Sequence, residues 1–342
     1  MRDRKIKVYD PLNMTKKITN FIAGIFSITV SITVTLLLLE CLARSCYPLI
    51  RNYDTEMWRY AVSGKVSTKN NGYFHMNKPN ACFRDLYGVE VRINSKGLRD
   101  HEYSYSKPPD TYRILVLGDS ITFGWGVPFE ETYSKCLERK LNRDSSGIKY
   151  QVINTGVGNY STRSEVDFLK KEGLKYDPDM IILGYFVNDA ERITPAGNYF
   201  LNRHSYLYVY LWSKFNAVKA RFSPGKDYSD YYLSLYSKGS KTRKAFEDAV
   251  SELISLAEEE KIPLLVVLIP DLHDLKSYPF EDIHDHVKGL FEDFTVVDLL
   301  SYFDENIESR SYWVSSEDAH HNNRAHGIIA DGIYPAVAGL TK

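Results

Sequence analysis

A serine one third of the way along the chain and a histidine near its end have side chains suited to hydrolytic chemistry. Ser120 follows the apolar run at 114–117 after one glycine and one aspartate, and His320 lies two residues after Asp318. An alcohol needs a general base to attack an ester near neutral pH, and an imidazole can take its proton. A carboxylate can then hold the second ring nitrogen. The residue types therefore predict a triad of Ser120, His320 and Asp318.

Simpler interpretations of these residues stay open at this point. A serine in a strand-to-helix turn often caps the helix, and Asn188 can be an ordinary turn residue. Histidines near a helix start can form a surface cluster or bind a metal, although no recognised ligand spacing is present. We expect no metal or other cofactor. The two groups of candidate metal ligands are Asp318, His320, His321 and His326, and His273, Asp274, His284 and His286.

Five apolar runs are the elements that would position this chemistry. They lie at 114–117, 151–154, 180–183, 264–269 and 295–299. Short runs of this kind are typical of strands buried on both faces of a parallel sheet, and helical patterns separate them. The alternation predicts an α/β fold, a three-layer α/β/α sandwich with right-handed crossovers. In such sheets ligands bind at the carboxyl ends of the strands, where Ser120 is placed.

Helical patterns with one apolar face follow four of the predicted strands. Three of them centre on residues 133–141, 245–256 and 325–340. The fourth begins with a capping-box sequence, in which Thr162 is followed three residues later by Glu165. This spacing predicts a helix from Thr162 through Leu174 with reciprocal side-chain caps.

The N-terminal region predicts a membrane anchor. Residues 18–39 contain no charged residue, and a helix of that length spans about 33 Å, enough to cross a bilayer core. The tail at 1–17 carries six basic and two acidic residues. The positive-inside rule then predicts a single-pass inner-membrane protein with a cytoplasmic tail and a periplasmic or extracellular domain. A cleaved signal peptide is the alternative, but residues 36–41 lack a small-residue cleavage site.

Composition divides the rest of the chain. Residues 44–110 are polar and irregular, and we expect 40–110 to form a stalk and a lead-in to a catalytic domain at 111–342. An aromatic-rich insertion at about 190–240 interrupts the alternation of strands and helices in that domain. The insertion can form an active-site lid, a sugar platform, or a small helical subdomain whose aromatic rings pack together.

Bulk composition excludes some partners. Lysine and arginine number 43 and aspartate and glutamate 44, so no net field favours nucleic acid. Four cysteines are too few for a disulfide scaffold. Cys82 and Cys136 can pair in an oxidising compartment, or each can lie buried as a small apolar side chain.

Four separated motifs resemble the sequence blocks of the SGNH/GDSL hydrolase superfamily and occur in the family order. They are the runs at 118–124, 152–159, 185–189 and 318–322. The resemblance extends from about residue 112 to the C-terminus and implies a flavodoxin-like version of the predicted fold. The run at 94–100, together with the anchor, resembles a bacterial branch linked to cell-surface polysaccharides.

The resemblance also implies donors for the oxyanion of the reaction. In the family these are the amide of the serine, a glycine amide in the second block and an asparagine side chain in the third. The matching positions here are Ser120, Asn159 and Asn188, with Gly158 as the alternative to Asn159. Asparagine replaces the family's glycine in the second block, and it tolerates a left-handed backbone better than most residues.

Two further departures from the family pattern concern the pocket and the acid. Phe186 stands where the third block usually has glycine, which can alter the shape of the pocket. Many family members place the acid three residues before the histidine, so Glu317 is the alternative to Asp318.

These observations predict a membrane-anchored serine esterase. Its expected substrates are O-acyl esters, O-acetyl esters above all, on a cell-envelope glycan or another small molecule, cleaved through an acyl-enzyme. The same site would also serve an O-acyltransferase to a polysaccharide. A non-catalytic glycan-binding module that keeps the fold is the alternative from another class. Beyond the substrate, the membrane is the expected partner, and nucleic acid is not.

Overall fold

The computed structural model describes residues 11–67, 75–145, 147–192, 200–221 and 228–341. The chain forms two compact units. One consists of Met1–Thr55 and Asn198–Val218 and is called the N-terminal unit below. The other consists of Glu56–Gly197 and Lys219–Lys342 and is called the sheet unit. Of the predicted cytoplasmic tail at 1–17, residues 1–10 lie outside the described residues.

Five parallel strands form the centre of the sheet unit. They are β1 (Thr111–Leu117), β2 (Lys149–Asn154), β3 (Met180–Tyr185), β4 (Leu264–Leu268) and β5 (Thr295–Asp298). Their order across the sheet is β2-β1-β3-β4-β5, which is the flavodoxin-like order. The predicted fold class is confirmed, and each strand begins and ends within three residues of the predicted limits.

Successive side chains of a strand point to opposite faces of the sheet. The side chains on both faces are apolar, and helices cover both. The longer helices are α1 (Pro11–Ser45), α2 (Tyr133–Asp144), α3 (Thr162–Lys171), α4 (Tyr206–Arg221), α5 (Tyr228–Leu235), α6 (Lys241–Glu260), α7 (Glu281–Leu290) and α8 (Asn323–Leu340). Leu115 and Leu117 of β1 belong to the core under α3, α6 and α7. Ile114 and Val116 belong to the core under α2 and α8. The three layers of the predicted sandwich are therefore present.

Short helices, turns and hairpins connect these elements. The short helices are Tyr47–Ile50, Tyr53–Arg59, Ser120–Phe123 and Phe200–His204, with a π-helical turn at Tyr60–Gly64. The 3₁₀ turns are Phe129–Glu131, Gly173–Tyr176, Val187–Ala190, Leu300–Tyr302 and Ser309–Tyr312. Three antiparallel hairpins pair Lys65–Ser67 with His75–Asn77, Cys82–Leu86 with Val89–Arg92, and Trp313–Ser315 with Asp318–His321.

The predicted capping box at the start of α3 is wrong. The N-cap is Ser161, whose side chain makes no capping hydrogen bond. Thr162 instead donates its hydroxyl to Asp189 Oδ2 at 3.2 Å, and Glu165 is buried in the core. The helix also ends at Lys171, before the predicted Leu174. Tertiary contacts of the buried helix start thus override the local capping preference.

The helix α1 runs from Pro11 to Ser45 and extends beyond the predicted span at both ends. Within the described ranges it is the one helix long and apolar enough to cross a bilayer, and none of its most apolar window is buried in the protein. Four of its hydroxyl groups donate to carbonyls one turn earlier, which satisfies them in apolar surroundings. These hydroxyls belong to Thr19, Ser27, Thr29 and Thr33. The helix fits a single-pass membrane protein or a signal sequence.

The region expected to be a stalk and lead-in, 40–110, divides between the two units. Residues up to Thr55 belong to the N-terminal unit, and those from Glu56 belong to the sheet unit. The latter part is folded rather than irregular, because its widely spaced apolar side chains are buried, among them Tyr60 and Leu98. Cys82 is exposed and Cys136 is half-buried, and both are free thiols.

The described parts of the insertion at about 190–240 also belong to different units. The helix α4 lies in the N-terminal unit as far as Val218, whereas α5 lies in the sheet unit. Tyr228 OH of α5 donates to Asp271 Oδ2 at 2.6 Å, and Tyr236 OH donates to the Val187 carbonyl at 3.1 Å. Residues 193–199 and 222–227 of the insertion lie outside the described residues.

Candidate active site

Ser120 begins a one-turn helix at the carboxyl end of β1. The N-cap of this helix is Asp119, whose Oδ1 accepts a hydrogen bond from the Ile121 amide at 2.8 Å. Ser120 is therefore not the cap, and its hydroxyl has another partner. A Cβ at Gly118 would lie only 1.9 Å from Thr122 Oγ1, so glycine is what lets the turn close this tightly. The local sequence thus raises the serine off the end of the strand.

The three predicted triad side chains form a continuous chain of contacts. Ser120 Oγ lies 2.8 Å from His320 Nε2, and His320 Nδ1 lies 2.6 Å from Asp318 Oδ1. Asp318 is buried, whereas the His320 side chain is 18% exposed. Burial raises the pKa of Asp318, but hydrogen bonds from the ring and the backbone amide of His320 and from Trp125 outweigh it and lower the pKa below its usual value.

A short hairpin and an indole hold the acid. Asp318 and His320 lie on one strand of the hairpin, so the backbone sets their separation. Trp125 Nε1 donates to Asp318 Oδ2 at 3.1 Å, and the Tyr87 ring stacks on Trp125 with centroids 5.6 Å apart. Glu317, the alternative acid, is exposed to solvent. The structure therefore brings Asp318 to the histidine ring.

The amide of Asn188 lies next to the serine. Asn188 is in the turn that follows β3, and its Nδ2 donates to Asp119 Oδ2 at 2.9 Å. Ser120 Oγ is 3.4 Å from the same carboxylate oxygen. Because the amide nitrogen has two protons, one of them is left for a further acceptor. Phe186, the departure in the same motif, packs edge-on against the His321 ring with centroids 6.2 Å apart.

Asn159 is exposed in the loop after β2 and has a left-handed backbone with φ of 65°. The neighbouring Gly158 amide is already engaged, since it donates to Tyr60 OH at 3.2 Å. Among the described residues, the amides of Ser120 and Asn159 donate no hydrogen bond. In this part of the described structure, the backbone N–H groups of Ser120 and Asn159 therefore make no hydrogen bond, whereas that of Gly158 does.

Residues of the lead-in hold this second loop. Tyr60 OH donates to Asn77 Oδ1, and Asn77 Nδ2 donates to the Gly156 carbonyl at 3.3 Å. Lys65 Nζ donates to the Gly158 carbonyl. Burial lowers the pKa of Lys65 to about 7. Side chains that precede β1 in the sequence thus hold the loop that carries Asn159.

Two carboxyl groups lie deeper in the core. Glu165 Oε1 and Oε2 and Asp189 Oδ1 have no hydrogen-bond partner among the described protein groups. Burial raises the pKa of both side chains well above the usual range, and the charge of Asp119 adds to the effect. Both groups are therefore held toward the protonated form.

The other candidate metal ligands are dispersed. His273 and His284 each contact one carboxylate of their own, at 2.9 and 3.1 Å. His321 and His326 are fully buried, and burial lowers the pKa of each to about 3, which keeps the rings neutral. Among the described residues, no group of three or more His, Cys, Asp or Glu side chains is arranged to hold a metal ion.

Sequence reasoning missed Trp125, Tyr60 and Asn77. Trp125 lies five residues after the serine, and a buried indole N–H needs an acceptor, so its position is a usable signal. Tyr60 offers no such signal, because its partner Gly158 is 98 residues away along the chain.

Comparisons with known proteins place the chain in a family. The GDSL-like Lipase/Acylhydrolase family matches residues 116–328. An arylesterase of Vibrio mimicus is 27% identical over 130 residues, which are 37% of this chain and 64% of the arylesterase. The chain thus spans less than two thirds of that relative.

Solved structures align at lower identity. A two-domain esterase active on acetylated mannans aligns with a TM-score of 0.45 and 16% identity over 68% of this chain and 50% of that chain. An acetyl xylan esterase aligns with a TM-score of 0.44 and 20% identity over 66% of this chain and 99% of that chain. Because the family match covers more than half of the sequence, the chain belongs to the GDSL-like lipase/acylhydrolase family.

Proposed function

We propose that the protein is a serine esterase in which Ser120 is the nucleophile, His320 the general base and acid, and Asp318 the group that orients the imidazole. One observation carries the proposal, namely the two contacts of 2.8 and 2.6 Å that join these side chains at the carboxyl end of β1. Membership of a lipase and acylhydrolase family supports the same chemistry.

In the first half of the reaction, Ser120 Oγ bonds to the ester carbonyl carbon while His320 Nε2 takes the hydroxyl proton. The histidine then gives this proton to the leaving alcohol as the C–O bond breaks, and the acyl group stays on Ser120. In the second half, water attacks the acyl carbon and loses a proton to His320, which gives that proton to Ser120 Oγ as the bond between the acyl carbon and Ser120 Oγ breaks and the carboxylic acid product leaves. Asp318 stays ionised throughout and stabilises the imidazolium, consistent with its lowered pKa.

The oxyanion that forms in each half needs hydrogen-bond donors. We assign this role to the amides of Ser120 and Asn159 and to Asn188 Nδ2. Asp119 holds the Asn188 side chain before substrate arrives, so little reorganisation is needed in the transition state. Loss of one such donor typically raises the barrier by about 2.7–4 kcal/mol.

The proposed substrates are O-acetyl esters of a cell-envelope glycan, and α1 is the proposed single-pass anchor, with the basic tail in the cytoplasm. The uncharged stretch at 18–39 and the basic residues before it support this location. The His320 ring is partly exposed, which supports a site that can admit an ester with a bulky alcohol group. Release of acetate from acetylated glycans, compared with longer acyl esters, tests the preference.

Labelling by a fluorophosphonate probe tests the nucleophile. We expect the full-length protein to be labelled and to hydrolyse a short-chain aryl ester, and Ser120→Ala to lose both properties. Ser255→Ala, on the surface helix α6, is the matched control and should behave as the wild type. Absence of labelling in the folded wild-type protein would contradict the proposal.

A further inference from the structure

The helix α4 has two contrasting faces. At 100° per residue, Val209 and Ser213 lie on one side, and both are buried in the N-terminal unit. Leu211, Phe215 and Val218 fall within an arc of about 60° on the opposite side. Their exposed fractions are 56%, 59% and 50%. The helix therefore packs by one face and presents an apolar stripe with the other.

Aromatic rings border this stripe. Trp212 is 52% exposed, and its ring stacks on Tyr208 and on Phe215 with centroids 6.3 and 5.9 Å away. Exposed apolar patches of this kind mark contact surfaces, and exposed Trp and Tyr rings are enriched at membrane interfaces.

The charged residues of the segment at 200–221 have one sign. Residues 200–221 include no aspartate or glutamate. The basic residues of the segment are Arg203, Lys214, Lys219 and Arg221. Such a segment is attracted to a surface of anionic lipid headgroups and gains from burying its apolar stripe there.

Side-chain contacts within the N-terminal unit tie the start of α4 to the end of the apolar stretch of α1. The Glu40 carboxylate accepts hydrogen bonds from the amides of Tyr206 and Leu207, each at 3.0 Å, and from Ser205 Oγ at 2.7 Å. Arg44, one turn further along α1, donates to Glu40 at 2.7 Å, and its guanidinium lies 4.9 Å from the centre of the Tyr206 ring. Glu40 thus caps α4 from another helix.

This cap sets the depth of α4 relative to a membrane. Glu40 is the first charged residue after the apolar span, so a membrane-inserted α1 places its carboxylate at the boundary between hydrocarbon and headgroups. The N-terminus of α4 is bonded to that carboxylate and must lie at the same level. The apolar stripe therefore begins where a bilayer surface would be.

We propose that α4 is an interfacial helix, which lies in the headgroup region of an anionic phospholipid bilayer with Leu211, Phe215 and Val218 toward the acyl chains. The flanking lysines would reach the phosphates. This inference rests on the proposed membrane insertion of α1 and is independent of the esterase activity. Helices of this type sink about 5–10 Å into the boundary between headgroups and acyl chains.

Quenching of tryptophan emission by brominated lipids tests the proposal. The full-length protein is reconstituted into vesicles of phosphatidylcholine and phosphatidylglycerol brominated either near the headgroup or near the chain end. Trp212→Phe should lower the quenched part of the emission at least about fivefold, since the remaining indoles lie outside the stripe. Trp313→Phe, the matched control in the sheet unit, should leave the quenched part unchanged. Bromine near the headgroup should quench Trp212 more than bromine near the chain end.

The outcomes separate this inference from the membrane anchor. Protein that fails to float with the vesicles would contradict insertion of α1. Protein that floats and is quenched equally in the wild type and in Trp212→Phe would overturn the interfacial helix alone. A detergent-solubilised dimer that Phe215→Asp converts to a monomer, with Trp212 unquenched in vesicles, would assign the stripe to contacts between copies instead. Hydrolysis of a soluble ester should be unchanged in Trp212→Phe, which verifies that the variant is folded.

Discussion

Buried carboxyl groups near Ser120 occupy two opposite electrostatic environments. Asp318 is buried but receives hydrogen bonds from His320 and Trp125, and its pKa is lowered. Glu165 and Asp189 are buried with unpartnered oxygen atoms, and their pKa values are raised. Burial raises the pKa of all three, so their neighbours decide the outcome. Hydrogen bonds and the His320 ring lower the pKa of Asp318, whereas nearby carboxylates raise those of Glu165 and Asp189, although Asp189 Oδ2 accepts from Thr162. The negative charge of Asp318 is thereby kept where the imidazolium would form.

The largest effect is expected from removing the charge of the paired acid. Asp318→Asn should lower kcat about ten-thousand-fold, because the ring would lose its orienting acceptor and the imidazolium its counter-charge. The measurement is steady-state hydrolysis of a short-chain aryl ester. Glu317→Gln is the matched control and should retain wild-type kcat. Equal losses of kcat in Asp318→Asn and Glu317→Gln would contradict the assignment of Asp318 as the acid that orients His320.

A smaller loss is expected from removing one donor to the same acid. Trp125→Phe keeps the aromatic packing but deletes the hydrogen bond to Asp318, and a bond to a charged group is worth about 1.5–3 kcal/mol. We expect kcat/KM to fall about tenfold to a hundredfold. Trp212→Phe makes the same change in the N-terminal unit and should have no effect on this rate. Wild-type kcat/KM in Trp125→Phe would mean that the indole does not support the acid.

The unpaired carboxyls should affect stability more than activity. Glu165→Met replaces a side chain whose carboxylate oxygens have no partner, so we expect a gain of about 1–3 kcal/mol in the free energy of unfolding at pH 8. A carboxyl with a raised pKa in the folded state destabilises the fold as the pH rises from its unfolded pKa toward its folded one. The gain should therefore shrink at pH 5. Urea unfolding at the two pH values measures it, and a variant less stable than the wild type at both would contradict the comparison.

The smallest effect is expected at an uncharged position. Asn159 has a left-handed backbone, and only its amide is assigned a role, so Asn159→Gly should keep kcat/KM within about twofold. Asn159→Val should cost about 1–3 kcal/mol of stability, because a β-branched residue is strained at positive φ. Ester hydrolysis and thermal unfolding together measure both effects. A large loss of activity in Asn159→Gly would show that the side chain takes part.

The sheet was predictable because each strand is buried on both faces and therefore appears as an unbroken apolar run. The positions of Ser120 and Asn188 follow from the ends of two such runs. The backbone at Asn159 is also of the left-handed kind that asparagine tolerates. These features depend on a few neighbouring residues, which is why the sequence alone indicates them.

Features that depend on distant contacts were not predictable. The capping-box pattern at Thr162 has the correct residue types. In the folded protein, however, the Thr162 hydroxyl bonds to Asp189 and the Glu165 side chain is buried in the core, so neither caps the helix. The aromatic-rich insertion gave no indication that α4 and α5 belong to different units. Composition identifies such a segment but does not identify which surface each ring packs against.

The bonds between Glu40 and the start of α4 have a consequence for biosynthesis. A peptidase that removed the N-terminal helix as a leader would also remove the acceptor that caps residues 205–207. A chain cut after Glu40 would leave these donors without that acceptor. A shortened chain that begins after Glu40, made for soluble production, would have the same defect. The capped start of α4 thus depends on Glu40, which lies at the end of the apolar span 165 residues or more earlier in the chain.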